Sequence, residues 1–350
     1  MFGMKRARRG GVAVALALGV ALTAAGCAGG GSAGGDGGGA GGGDAGGDVS
    51  IVMLPKNLGN PYFDTSTGGA EEAVAEIGGT FEEVGPSEAS PTSQVQYIQT
   101  AAQQGAGGLI VSANDPSAIC DALDEARGAG VKVVTFDSDT NVECRDLFIN
   151  QATSEGIARV QVELIAEQIG GEGQIAILSA SANATNQNAW IELMEEELAA
   201  SYPDIELVEV AYGDDDDQTS FDKTAALLQT YPELKGIVSP TTVGIAAAAR
   251  YLSTSEYQGT VALTGLGTPN QMREYVEDGT VTAFALWNPA DLGYLAAFAT
   301  AALINGEITG AEGDTFEAGK LGSYEVGPDG TVLLGDPFVF DADNIADFDF

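Results

Sequence analysis

From Val49 onward, short apolar runs alternate with longer stretches whose apolar residues recur at helical spacing. Strands separated by helices cannot pair as hairpins. They must cross over, which predicts parallel sheets with helices on both faces. In the first part, strands are expected at Ser50 to Leu54, Thr80 to Val84, Gly108 to Ser112 and Lys132 to Asp137, with helices beginning near Tyr62, Pro91 and Pro116. Val95, Ile98 and Ala101 keep helical spacing, as do Ile119, Leu123 and Ala126. Pro91 and Pro116 suit first-turn positions, with Ser90 and Asp115 as N-caps. After Asp146 to Asn150 the rhythm restarts with helices from Ser154, Asn186, Thr219, Thr242 and Pro269, and with strands at Gln174 to Leu178, Glu206 to Ala211, Gly236 to Ser239, Val261 to Thr264 and Val281 to Leu286. Trp190, Leu193, Met194 and Leu198 form an apolar stripe that reads as core. Asp291 to Asn305 is one more helix, and Thr331 to Val339 looks like strand. The fold class is α/β, with two doubly wound lobes rather than one long sheet.

Composition narrows the function. The 350 residues include 14 Lys or Arg, 51 Asp or Glu and no His, for a formal net charge of −37. Such an acidic chain repels a phosphate backbone, so nucleic-acid binding by a basic face is excluded. Without His, the commonest zinc ligand and the usual triad base are missing. Asp214 to Asp217 lacks the glycine and terminal glutamate of an EF-hand loop and reads as a solvated acidic turn, so no metal site is expected. Gly265-Leu266-Gly267 falls short of a dinucleotide fingerprint, since Asn270 stands at the third glycine position, and no cofactor is expected.

The first residues read as an address. Lys5, Arg6, Arg8 and Arg9 precede an apolar stretch, Val12 to Ala25, that is short of the roughly 20 residues of a membrane span, which predicts an export signal. The Leu22-Thr23-Ala24-Ala25-Gly26-Cys27 run resembles a bacterial lipobox, with Ala24 where Leu is commonest. Residues 1–27 are therefore expected to be a lipoprotein signal with Cys27 lipidated at the outer face of the cell membrane; cleavage after a small residue, with Cys27 incidental, is the alternative. Residues 28–48 contain only Gly, Ala, Ser and Asp, a flexible tether reaching about 25 Å. Loss of the four signal cations would deepen the charge to −41, from 10 basic against 51 acidic residues. After export, Cys120 and Cys144 are expected to form a disulfide contributing about 3 kcal/mol on the chain-entropy model, the alternative being two buried thiols.

Ligands of open parallel sheets bind beyond the carboxyl ends of the strands. The residues there are Lys56 with Asn57 to Phe63, Asn114 and Asp115, Asp137 to Asp139, Ala182 to Gln187, Pro240 to Thr242, Gly267 to Asn270, and Trp287 with Asn288. Carboxylates, amides, hydroxyls and aromatic rings dominate, with one cation and nothing that cradles a phosphate. Such a set suits a neutral, hydroxyl-rich ligand whose C–H face lies on an aromatic ring.

Leu54-Pro55-Lys56, Asn60-Pro61-Tyr62-Phe63, Phe136-Asp137-Ser138-Asp139-Thr140, Asn186-Gln187-Asn188-Ala189-Trp190, Ser239-Pro240-Thr241-Thr242 and Ala285-Leu286-Trp287-Asn288 together resemble the type I periplasmic sugar-binding proteins of ABC importers, in the rhamnose-binding and autoinducer-2-binding branches. The resemblance implies that Lys56, Asp137, Gln187 and Pro240 hold the ligand, with Asn186 where the autoinducer-2 branch has Asp and Thr242 where it has Ala. Asn60, Phe63 and Asn288 match ring-covering and polar positions of the wider family. An Asp-to-Asn change swaps a charged acceptor for a group that also donates, which favours rhamnose or a related deoxyhexose over autoinducer-2. The resemblance also implies a monomer that is not an enzyme and that delivers sugar to ABC permease subunits in the membrane. Residues 49–150 with 288–328 would form the first lobe, and 151–287 with 329–350 the second. An exported carbohydrate-active enzyme is the rival of another class, with Asp137 and Asp139 as its only obvious carboxylate pair.

Overall fold

The computed structural model describes residues 49–350. The expected export signal, Cys27 and the glycine-rich segment lie outside the described residues. The first half runs β1 (Ser50–Leu54), α1 (Pro61–Ile77), β2 (Thr80–Glu83), α2 (Val95–Gln104), β3 (Gly108–Val111), α3 (Cys120–Gly128), β4 (Lys132–Phe136) and β5 (Leu147–Asn150). The second continues with α4 (Ser154–Ile169), β6 (Gly173–Ser179), α5 (Thr185–Ser201), β7 (Ile205–Tyr212), α6 (Asp217–Thr230), β8 (Leu234–Ser239), α7 (Thr242–Ser253), β9 (Ala262–Gly265), α8 (Pro269–Glu277) and β10 (Ala283–Leu286). Then come α9 (Pro289–Asn305), β11 (Thr315–Glu317), β12 (Ser323–Glu325), β13 (Thr331–Leu333) and β14 (Phe338–Asp341).

Two sheets organise the molecule. The first has the order β13-β5-β4-β3-β1-β2, with every pair parallel. The second has the order β7-β6-β8-β9, also parallel, and is extended by the antiparallel pair β10 and β14 through a bridge between Leu266 and Ala285. Their central strands β3, β4 and β8 bury nearly every side chain, as strands covered on both faces must.

The chain passes between the lobes after β5, between β10 and α9, and between β13 and β14. The expected third passage near residue 328 comes later: Thr331–Leu333 pairs with Phe148–Asn150 in the first sheet, and only the strand starting at Phe338 joins the second. The strand expected over Thr331 to Val339 is thus two strands in two lobes. Helix α9 returns to the first lobe and packs on α1, β3 and β4. Its approach to α1 needs glycine on both sides. A Cβ on Gly69 would sit 1.9 Å from the Ala290 carbonyl oxygen, and one on Gly293 would sit 1.8 Å from that of Ser66.

Helices α2 and α3 begin at Val95 and Cys120, four residues after the prolines expected to open them. The intervening residues form tight turns. Ser93 N–H donates to the Ser90 carbonyl, and Tyr97 N–H to that of Gln94. Asp115 does cap its turn, accepting from the N–H groups of Ser117 and Ala118. Gln94 explains the delay before α2. Its buried amide donates to the Pro55 and Ser112 carbonyls and accepts from Asn114 N–H, stitching together the loops that leave β1 and β3. Cys120 and Cys144 are bridged, with Cα atoms 5.3 Å apart.

Candidate functional site

Both parallel sheets direct the carboxyl ends of their strands at one cleft. About 380 Å³ of space unoccupied by atoms lies within it, open solvent included. Lys56, Asn60, Phe63, Asp137, Asn186, Gln187, Pro240 and Thr242, all expected at the site, line it together. Asn288 does not. Its amide is consumed at the start of α9, where it accepts from Ala290 N–H and donates to Asp291.

The first lobe contributes a carboxylate on a strained turn. Asp137 directly follows β4 with φ +59°, and Ser138 N–H donates to the Phe136 carbonyl across it, closing a three-residue γ-turn. Asp is among the few residues that tolerate this region. Ser112 at the end of β3 donates to its Oδ2 at 2.7 Å, which orients the other oxygen. Lys56 sits 3.7 Å from the same Oδ2, and both side chains are almost fully buried. Asn60 has two tasks: it lines the cleft while its Oδ1 caps α1 by accepting from Tyr62 N–H.

The second lobe answers with directed amides. Gln187 Oε1 accepts from Ser179 Oγ and Ala180 N–H at the end of β6, which fixes the flip and leaves Nε2 as a donor. Asn186 reaches across the cleft. Its Oδ1 accepts from Lys56 Nζ at 3.4 Å and its Nδ2 donates to the Asp137 carbonyl at 3.4 Å. Thr242 stands at the first turn of α7 and Pro240 just before it, at the end of the helix that carries its unpaired N–H groups.

Aromatic rings join the lobes. Phe136, Phe63, Tyr62, Trp287 and Trp190 follow one another edge to face, with centroids 5.1 to 6.1 Å apart. Trp287 Nε1 also donates to the Tyr62 hydroxyl at 2.9 Å. Burial and the nearby Asp137 carboxylate push the Tyr62 phenol well above its ordinary value, so it stays neutral.

Several lining groups were not among the expected ligand contacts. Trp190 is part of the core, as its spacing indicated, yet one face of it borders the cleft, and Tyr62, Thr241, Leu266, Leu286 and Trp287 border it too. Asp215 is the main correction. It belongs to the run read as a solvated turn, but it is half-buried and lines the cavity, and Thr241 Oγ1 donates to its Oδ1. It follows β7, whose carboxyl end reaches the cleft with those of the other strands. Asp139, by contrast, is held by Arg145 through contacts of 2.7 and 2.8 Å and does not line the cleft.

Known proteins share this architecture. The model of the periplasmic binding protein domain matches residues 51–308. A crystal structure of a sugar ABC transporter from Actinomyces odontolyticus is 55% identical, spans 87% of this chain and 99% of its own, and superposes with a TM-score of 0.71. An ABC transporter solute-binding protein from Clostridium phytofermentas, solved with bound L-rhamnose, is 38% identical over 85% of this chain and 97% of that one, with a TM-score of 0.83. A D-apiose import binding protein of Actinobacillus succinogenes is 25% identical over 191 residues, 54% of this chain and only 60% of that relative's length. With a family match over most of the cleft-forming residues and relatives of this identity along nearly their full length, the chain belongs to the periplasmic binding protein family, among the solute-binding proteins of ABC transporters.

Proposed function

We propose that this protein captures a neutral sugar outside the cytoplasm, a 6-deoxyhexose of the rhamnose type, and delivers it to the membrane subunits of an ABC importer. Lipid attached to Cys27 would hold it at the outer face of the membrane. Binding followed by release, without turnover, is the activity. The observation that carries this reading is the cleft itself: Lys56, Asp137, Asn186 and Gln187 present fixed donors and acceptors opposite an aromatic wall. The rhamnose complex of the relative from Clostridium phytofermentas supports the choice of ligand. Asn186 supports it over autoinducer-2, because its donation to the Asp137 carbonyl is one that Asp could not make. Closure would be a population shift driven by contacts from both lobes to one ligand.

A thermal-shift panel of L-rhamnose, fucose, ribose, xylose, galactose, D-apiose and autoinducer-2 tests the proposal. A ligand at a hundredfold its Kd stabilises the native state by about 2.7 kcal/mol. Rhamnose should give the largest upward shift. A larger shift with autoinducer-2 would reverse the specificity, and no shift with any sugar would sink the sugar reading.

A further inference from the structure

We infer that Asp215 is a specificity-determining ligand contact, whose carboxylate accepts a sugar hydroxyl from the second lobe while Asp137 accepts one from the first. The inference rests on the reading of the cleft as a sugar site. Its four-acid run divides by task. Asp216 caps α6 by accepting from Thr219 N–H, and Asp217 pairs with Arg250 at 2.6 Å. Asp214 is exposed. Asp215 alone of the four lines the cavity.

The backbone is bent to put it there. Asp214 and Asp215 are consecutive non-glycine residues at φ +56° and +51°, a conformation that persists only where the surroundings hold it. Gly213 and Asp214 donate their N–H groups to the Ser179 and Ala180 carbonyls. The Ala180 N–H in turn fixes Gln187, so Asp215 and Gln187 are registered on one strand end.

Thr241 supports the assignment. It occupies the N-cap of α7, yet its hydroxyl donates to Asp215 Oδ1 instead of capping the helix. Among the described residues no group donates to Oδ2. A half-buried carboxylate with one oxygen anchored and the other open to a cavity is an acceptor awaiting a donor. Burial raises its affinity for a proton, and Lys56 acts in the opposite sense. With two carboxylates and one ammonium, the cavity favours hydroxyl donors and disfavours sugar acids and sugar phosphates.

The test is calorimetric titration of wild type, Asp215→Asn and Asp215→Ser with L-rhamnose and with its series of monodeoxy analogues. Unliganded stability is followed in urea. Both variants should bind L-rhamnose at least tenfold more weakly, Asp215→Asn without loss of unliganded stability. One analogue should bind wild type and variants equally, because it lacks the hydroxyl that Asp215 accepts. Thr241→Val, which keeps the carboxylate, should cost less than either. Unchanged rhamnose affinity in both variants overturns the inference. So does a loss that is the same for every analogue, which would mark Asp215 as a positioning residue only. If wild type binds none of the sugars, the sugar reading falls and this inference falls with it.

Discussion

Asp137 stores strain at the wall of the cleft. A non-glycine residue at positive φ costs on the order of 1 to 3 kcal/mol, and the Ser112 hydrogen bond and the Lys56 ammonium help to hold it. Asp137→Asn keeps a side chain that tolerates this backbone but loses the charged acceptor. It should weaken sugar binding by about 2 to 3 kcal/mol and also lower unliganded stability, because the buried Lys56 ammonium loses its partner carboxylate, as calorimetry and urea unfolding would measure. Unaltered affinity would remove Asp137 from the site. Asp215 adds a pH dependence. Thr241, Lys56, Asp137 and Asp214 surround it, and burial raises its carboxyl above the ordinary value. The folded state therefore holds this proton more tightly than the unfolded chain, so its contribution to stability is fully present below the ordinary carboxylate value and is lost as pH rises through the raised one. Ligand affinity moves the other way, because protonation removes the charged acceptor. Acidification through that window should weaken binding in wild type, and Asp215→Asn should flatten the curve; parallel curves would argue against it.

At the scale of elements, the order of strands and helices was legible in the sequence because period and length differ so clearly between the two. Helix starts were not. Pro91 and Pro116 open turns rather than helices: the buried Gln94 amide is tied to the loops leaving β1 and β3, and Asp115 makes N-cap bonds to a turn that runs on into helix only from Cys120. At the cleft, eight of the nine expected ligand-contact positions line the cavity. The one that does not, Asn288, illustrates a general ambiguity: an Asn before a Pro at a helix start serves the helix as readily as a ligand. The α1–α9 contact carries a sharp prediction. Gly293→Ala forces a methyl group against the Ser66 carbonyl oxygen and should destabilise the fold by about 1 to 3 kcal/mol, read as a lower urea midpoint. Gly68→Ala, a neighbouring position with open space, should not. Equal midpoints for the two variants would mean that the helices separate without cost.

Over the whole molecule, the charge of −37 acts against compactness, because acids far outnumber bases on a surface of finite area. Added salt should therefore raise the melting temperature of the unliganded protein by screening that repulsion, and a flat or falling trend in a sodium chloride series would contradict it. The lobes also differ from a pair of beads on a string. One edge strand of the first sheet, β13, is made only after all of the second lobe but β14 and the tail has been synthesised, and α9, which covers α1, comes only shortly before it. No single cut of the gene yields either half intact: a fragment ending at residue 150 leaves the glycine face of α1 bare and one sheet edge unpaired. Because four segments alternate between the two lobes along the chain, even a circular permutation leaves them interleaved, and an independently expressed lobe has to be spliced from its two separate segments.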